Sequence, residues 1–595
     1  MINGAIMNIK QLSFVAAVSA LTFTTVTNAV LGPIPIYLNT EYRTDTPVIG
    51  SIASTLTFDA EDIAVTGANT FLDFLGTVPS VGLFYAQGNV PAIYMRGGDS
   101  HHVLVLVDGI KMNPVNSGKG AIEYGLTSIS LNDIEKVEIV KGSGSVLYGS
   151  SATAGVISIT TKKGANGIDA TISTKFGTNN SKTFALSVSD GDKDGYVRFT
   201  HNNYTTDGIN ARTDDQTGEK DGISNRTTQI KVGNERFDIS YLEARNKTEY
   251  DDAGAPDKLG DRKFNKITVN ANKEFSDTWK TKLSFSQTKN NRDTGTGAGT
   301  PGDRHKSTTI SILNDIKIDE ALLNIGLSQI KDENTTKNQK LTSENIFINW
   351  QKNIKSIDIN TGARYIRHSK FGNEIVYNLG AAKYLDNDIK LTSSYATAFN
   401  APSLPYLLDY WGGENPNLKP ETSKSTEIGL EKTHDWGVSA INLFKTKTKN
   451  AIGGWPLVNQ DIYLAEGVDI STNINIAEYS INFGHIYTKS RINDATTQAA
   501  KRPKNITNLT INKQYGKFNS RAQVIKKSSS FISNGEEVSG YTLLNLSTGY
   551  NINDNTKVSF NIKNATDKDY EISGGDGYRY IQPGRVIEVG LHYKF

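Results

Sequence analysis

The chain has 595 residues, of which 21% are charged and 37% hydrophobic, a formal net charge of +2 and no cysteine. Such a length exceeds an ordinary single domain several-fold. The near-neutral balance, with Lys and Asp interleaved throughout, offers no concentrated basic face for nucleic acid, and the lack of cysteine excludes disulfides and thiolate metal sites.

Leu12 to Phe23, behind Lys10, has the length of a signal-peptide core, and Thr27-Asn28-Ala29 offers a cleavage site. Residues 1–29 are therefore read as a signal peptide. A cut after Ala20 is the alternative, and a short hydrophobic helix that stays is the other reading. No apolar run is long enough for a membrane-spanning helix. An exported chain without one can still span a membrane as a closed β-barrel, whose alternating strands are not hydrophobic on average. Val30 to Thr40 is extended, proline-bearing and apolar-aromatic. Further on, Asn69 to Leu75 combines a capping residue with apolar spacings of three and four, which predicts a short helix.

Ile93 to Asn113 contains a continuous apolar strand, Val103 to Val107, followed by the tight-turn pair Asp108-Gly109. Ile134 to Lys163 reads as strand, glycine- and serine-rich reversal, strand. Gly142, Gly144, Gly149 and Gly155 allow close backbone approach and positive φ. A phosphate-binding loop is the rival reading, but it needs a helix directly after the glycines, and Val156-Ile157-Ser158-Ile159 is a strand. From Ile168 onward, alternating segments of eight to twelve residues break at Asn, Asp, Gly and Lys clusters; in Leu323-Asn324-Ile325-Gly326-Leu327 every second residue is apolar. Aromatic residues near segment ends (Trp279, Trp350, Tyr365, Trp436, Tyr487) suit interfacial girdles. Residues 165–595 divide into about 22 such strands, the barrel size whose lumen is plugged. No internal repeat supports a propeller or solenoid. The eight histidines are scattered, and no HExxH, GxSxG or paired-carboxylate spacing suggests an enzyme.

Met95-Arg96-Gly97, Val103 to Ile110, Ile134 to Gly142, Leu147-Tyr148-Gly149 and Gly155-Val156-Ile157 together resemble the plug domain of TonB-dependent outer-membrane receptors. Lys141 stands where arginine is usual, Ser143 where proline is and Ser158 where asparagine is. At 141 the charge is kept without the planar fork. Phe399-Asn400-Ala401-Pro402 and Asn415 to Glu421 resemble the extracellular-loop motif of cobalamin and haem receptors. Asn564 to Tyr570 and Pro583-Gly584-Arg585 resemble the last hairpin, and the alternating terminus Ile587 to Phe595 resembles the signal read by the barrel-assembly machinery.

The resemblance implies an all-β membrane protein, a 22-stranded antiparallel barrel (165–595) around an α+β plug (51–164). It also implies a bacterial outer-membrane location, contact with lipid and a monomeric state. Residues 30–50 would hold the TonB box and a linker, with Ile34, Pro35, Ile36, Tyr37 and Leu38 gripped by the periplasmic TonB energy-transducing complex through strand addition. Thr46 to Ile49 is a second candidate, and a mere linker is the other reading. The closest branch is that of cobalamin transporters, to which Ser100 to Gly109 and Asp567 to Glu571 are similar. The expected function is active uptake of cobalamin or another corrinoid, with a ferric siderophore as the alternative. Haem is disfavoured because no histidine lies between Phe399 and Asn415, and a passive porin would need neither box nor plug. Substrate contacts are expected at Val90, Tyr94, Lys111 and Asn113 on the plug. Tyr406, Tyr410 and Trp411 could stack on a planar ligand or serve as girdle residues. No covalent cofactor is expected. That branch binds calcium through early acidic loops, which points to Asp214, Asp215, Glu219, Asp221, Tyr250, Asp251 and Asp257; a solvated hairpin tip is the alternative.

Overall fold

The computed structural model describes residues 40–595 except 46, 87–88, 113–125, 253–254, 296–301, 409–412, 455, 494 and 534. The signal segment, Ile34 to Leu38, Thr46, Asn113, Tyr410 and Trp411 thus lie outside the described residues.

The N-terminal body is built on a five-stranded sheet. Thr55–Asp59, Ile134–Lys141, Gly155–Thr161, Val103–Val107 and Ile110–Lys111 lie side by side in that order, with Val103–Val107 parallel to Gly155–Thr161 and the other pairs antiparallel. The unbroken apolar run has a simple cause: the strand is covered on both faces. Val103, Val105 and Val107 enter one cluster with Phe71, Phe74 and Leu75 of the helix Phe71–Thr77. Leu104 and Leu106 enter another with Val140 and Val156. Thr70 caps that helix by accepting from Asp73 N. Asp108 and Gly109 both have positive φ and close the hairpin between Val107 and Ile110. At Gly155 any Cβ would lie 2.8 Å from the Val140 carbonyl oxygen, so only glycine lets these strands meet. The glycine-rich reversal holds one feature beyond strand and turn: a single helical turn, Ser145–Tyr148, closed by Gly149 N donating to Ser145 O.

Twenty-two antiparallel strands close around this body, the last (Val586–Lys594) pairing with the first (Asp169–Gly177). Closure leaves no edge strand, and period-2 alternation puts apolar side chains outward and polar ones inward. In Ala321–Asn334, Leu327 is 44% exposed on the outside while Asn324 is fully buried, bonded to Asp315, Asn349 and Gln351 in the lumen. One rim carries turns of two to four residues, such as 277–278 and 435–436; the other carries long connections, notably 207–222, 401–420 and 564–585. In outer-membrane barrels the short turns face the periplasm.

Leu379, 56% exposed midway along Gly372–Leu385, faces lipid in this arrangement. Leu379→Arg is expected to destabilise the barrel refolded in lipid vesicles by about 2–4 kcal/mol, and Leu379→Val by less than about 1.5 kcal/mol. Urea unfolding in vesicles reads the difference; equal midpoints would contradict a lipid-facing position.

Candidate functional site

The plug meets the wall through buried charge. Lys141 Nζ lies 2.7 Å from Asp469 Oδ2, and Arg96 Nη1 lies 2.6 Å from Glu427, with its guanidinium 4.8 Å over the Phe444 ring. Ser80 Oγ donates to Asp469 at 3.2 Å. The single-point Lys141 contact is what a lysine in place of an arginine allows. Around the rest of the interface, Arg198 pairs with Asp133, Lys231 with Asp108, Arg502 with Asp99 and Lys563 with Asp73.

His101 and His102 both bring Nε2 to Glu421, at 3.1 and 2.9 Å. The three side chains are buried and close enough to resemble a metal set. The hydrogen bonds argue otherwise. His102 Nδ1 accepts from Asp99 N at 3.1 Å, so its Nε2 carries the proton and donates to the carboxylate. Glu421 also accepts from Asn400 Nδ2 and Ile452 N. The trio is a latch between plug and wall.

Beside it, a cavity of about 170 Å³ runs between plug and wall. Lys111, Ser150, Ser151 and Tyr148 line the plug side, and Ser, Thr and Asn side chains of four neighbouring strands line the other. From His305 to Ser311 on one wall strand the cleft extends roughly 20 Å at a rise of about 3.4 Å per residue. Its volume is well below the roughly 300–1,000 Å³ of sites that enclose a drug-sized ligand, so it can receive a group of a large ligand rather than the whole.

Of the residues expected to touch substrate, Lys111 lines this cleft and donates to Ser151 Oγ, and Tyr406 lines it with its ring edge-on to His101 at 6.1 Å. Val90 opens the strand Val90–Met95. Tyr94 is buried beneath the Arg502 guanidinium, away from the cleft. Ile49, in the second candidate box, packs with Tyr42 and Ile52 against Ala382 of the wall.

At the long-loop rim, carboxylate oxygens of Asp215, Glu219 and Asp251 lie within 4.8 Å of one another. Asp221 is buried beside them, and its Oδ1 has no hydrogen-bond partner among the described residues. Burial, with Asp251, Glu219 and Glu249 nearby, pushes its carboxyl up to about 7. Asp214 instead pairs with Arg212 at 2.6 Å, and Asn210 donates to Asp215. Tyr250 is buried in the adjoining hairpin, and Asp257 lies on the strand Ala255–Ser276.

Sequence reasoning missed Glu427, Asp469, Arg364 and the pairing of His101 and His102 with Glu421. Their one signal is charge at lumen-facing positions of strands, which alternation marks only once the strand phase is known.

Lys141→Met leaves Asp469 buried with one cation fewer and is expected to cost about 3–5 kcal/mol. In Lys141→Met/Asp469→Leu most of that loss returns. Denaturant melts that show the double variant no better than the single one would contradict a paired origin.

Residues 156–565 match the family model described as TonB dependent receptor-like, beta-barrel, and residues 47–156 match the TonB-dependent Receptor Plug Domain. A vitamin B12 transporter BtuB of Photobacterium profundum is 24% identical over 569 residues, covering 89% of this chain and 91% of that protein. The BtuB of Vibrio vulnificus strain YJ016 is 24% identical over 592 residues, covering 93% and 94%. The crystal structure of the siderophore receptor PirA from Acinetobacter baumannii superposes with a TM-score of 0.78 at 17% identity, covering 91% of this chain and 98% of that one. With both family models matched in order and the 22-stranded barrel closed around its plug, this chain belongs to the TonB-dependent receptors of the bacterial outer membrane.

Proposed function

We propose that this receptor imports a corrinoid, cobalamin being the leading candidate, by TonB-driven displacement of its plug. The observation that carries this reading is the likeness to two vitamin B12 transporters along about nine-tenths of each chain. The cleft is consistent with it: Ser, Thr and Asn side chains suit a large ligand studded with amides. Lys111 and Tyr406 in the cleft, with Val90 at the plug tip, would meet the ligand; buried Tyr94 would not. A ferric siderophore is the second reading, favoured by the cations Lys111, Arg43 and Arg364 that line the same cleft.

The mechanism follows from the lumen. A barrel this wide is unselective when open, and the outer membrane has no nucleotide triphosphate to spend, so work must arrive mechanically through the N-terminal segment. Ligand binding would shift that segment toward a state its periplasmic partner can grip. Traction then acts on a plug held by ion pairs and hydrogen bonds that water can replace.

Calcium fits the rim cluster. Asp215, Glu219, Asp251 and Asp221 supply hard oxygen donors, and the orphaned Asp221 Oδ1 is aligned with that chemistry. These residues would hold the ion and tie loop 207–222 to the hairpin beginning at Phe237.

Titration calorimetry of the refolded receptor with cyanocobalamin and several ferric siderophores tests the ligand. Saturable binding of the corrinoid is expected, and heat from iron chelates alone would overturn the assignment. Deleting residues 30–40 should abolish uptake by cells while leaving binding unchanged; retained uptake would point to a passive pore.

The pH dependence has a definite sign. Because the Asp221 carboxyl is pushed up to about 7, protonation stabilises this loop at low pH, and that contribution disappears as pH rises through about 7. Calcium replaces the proton, so its affinity should rise by roughly tenfold from about pH 6 to about pH 8 and then level off. A flat profile would exclude Asp221 from the site.

A further inference from the structure

Arg43 and Arg364 lie 321 positions apart in sequence and meet at the inner end of the cleft. Arg364 is 2% exposed, and donates through Nε to Val146 O at 2.6 Å and through Nη2 to Leu147 O at 2.7 Å. Arg43 Nη1 donates to the same Leu147 O at 2.6 Å. Both guanidiniums lie over one ring, Phe347, at 5.5 and 5.0 Å. Phe347 in turn fills the space left by Gly326, where a Cβ would collide with it. Two like charges are thus held together by carbonyl oxygens and one aromatic face.

Among the described residues neither guanidinium has a carboxylate within 4.0 Å. The nearest candidate, Asp315, is occupied by Thr44 Oγ1 and Asn324 Nδ2. Holding a buried cation, Arg364, beside a second one whose only nearby carboxylate, Asp315, is not in contact is unfavourable unless an anion completes the set. Arg364 Nη1 has no hydrogen bond among the described residues and faces Gly149, whose missing side chain leaves room there. By register, Ser311, Ser328 and Asn345 are cross-strand neighbours on the wall and line the same cleft. Guanidinium forks with hydroxyl neighbours suit a tetrahedral oxyanion or a carboxylate.

We propose that Arg43 and Arg364 form an oxyanion subsite at the floor of the cleft, occupied by a phosphate or carboxylate group of a passing ligand or by free phosphate. The cleft volume accommodates such a group. The subsite also reaches the N-terminal segment: Tyr148 OH donates to Thr40 O, three residues before Arg43. An oxyanion competing with Leu147 O for the Arg43 fork would loosen the point where that segment is stapled to the plug.

The test uses the refolded full-length receptor and inorganic phosphate, followed by ³¹P line broadening and calorimetry. The wild type is expected to show saturable binding, and Arg43→Gln and Arg364→Gln to weaken it at least tenfold each. Arg367→Gln, on the outer face of the same strand, should leave it unchanged. Arg364→Lys keeps the charge without the fork and should retain part of the affinity, which keeps the test decisive where the glutamine variant fails to fold. No saturable broadening in the wild type, or undiminished wild-type affinity in both arginine variants, would overturn the subsite. If cyanocobalamin, which carries a phosphodiester, displaces phosphate and dicyanocobinamide, which lacks it, does not, the oxyanion is ligand-borne; if neither does while phosphate binds, it is a free ion. Phosphate is a probe independent of any organic ligand, so its failure leaves the corrinoid reading standing.

Discussion

The structure depends on one constraint: a closed barrel in lipid must turn its polar face inward. Along the described strands the wall's backbone pairs strand to strand, apart from a few bulges, and side chains alternate between lumen and lipid. Whatever fills that lumen meets mostly hydroxyls, amides and charges, with isolated apolar side chains such as Phe347 and Ile366 among them. The plug therefore keeps its own apolar core, built around Phe71, Phe74 and the Val103–Val107 strand, with only a few wall residues such as Leu242, Ala244 and Phe264 joining it. Its boundary is rich in ion pairs and hydrogen bonds, with Lys141–Asp469 and the two-histidine latch on Glu421 deeply buried, and small apolar contacts such as Val146 with Ile366, Val376 and Phe399 lie between them.

That division has an energetic consequence. Buried ion pairs contribute little net stability because desolvation offsets most of their attraction, yet they are costly to break one partner at a time. A plug held this way is fixed in register and orientation without being cemented. Once water follows a displaced segment, the charges on both sides are rehydrated and the penalty falls. A hydrophobic plug–wall interface of the same area would instead resist traction along its whole extent.

The legible part of the fold was the local part. Alternation from Ile168 onward, the Asp108-Gly109 turn and the short helix before Val81 rest on periods of 2 and 3.6 and on turn chemistry, which act within a few residues. The acidic cluster was legible as composition, but only the structure separates Asp215, Glu219, Asp221 and Asp251, which converge, from Asp214, which Arg212 neutralises. The plug–wall contacts were not legible. Arg96 and Glu427, or His101 and Glu421, are joined only by barrel closure and plug placement, and nothing local to either residue encodes the distance between them. The one-turn helix at Ser145 was hidden for a related reason: part of its support, the guanidiniums of Arg43 and Arg364, comes from elsewhere in the chain.

Under the proposed traction, the segment beginning at Thr40 would come away stepwise. Residues 40–45 and 47–53 lie against one another, with Glu41 accepting from Ile52 N and Ala53 N and Tyr42 OH donating to Gly50 O. Burial holds the Glu41 carboxyl above its ordinary range, so separation from its partners and exposure to water favour its charged form. Outward from this knot run single contacts: Thr40 to Glu138, Thr44 to Asp315, Gly50 to Asp358 and Arg43 to Leu147 O. A hydrogen bond contributes about 1 kcal/mol net. Force entering ahead of residue 40 meets Thr40 before Arg43 and Arg43 before Gly50, loading these bonds in series. The buried ion pairs behind them would be loaded only after the knot has opened, when water would have a path to both partners.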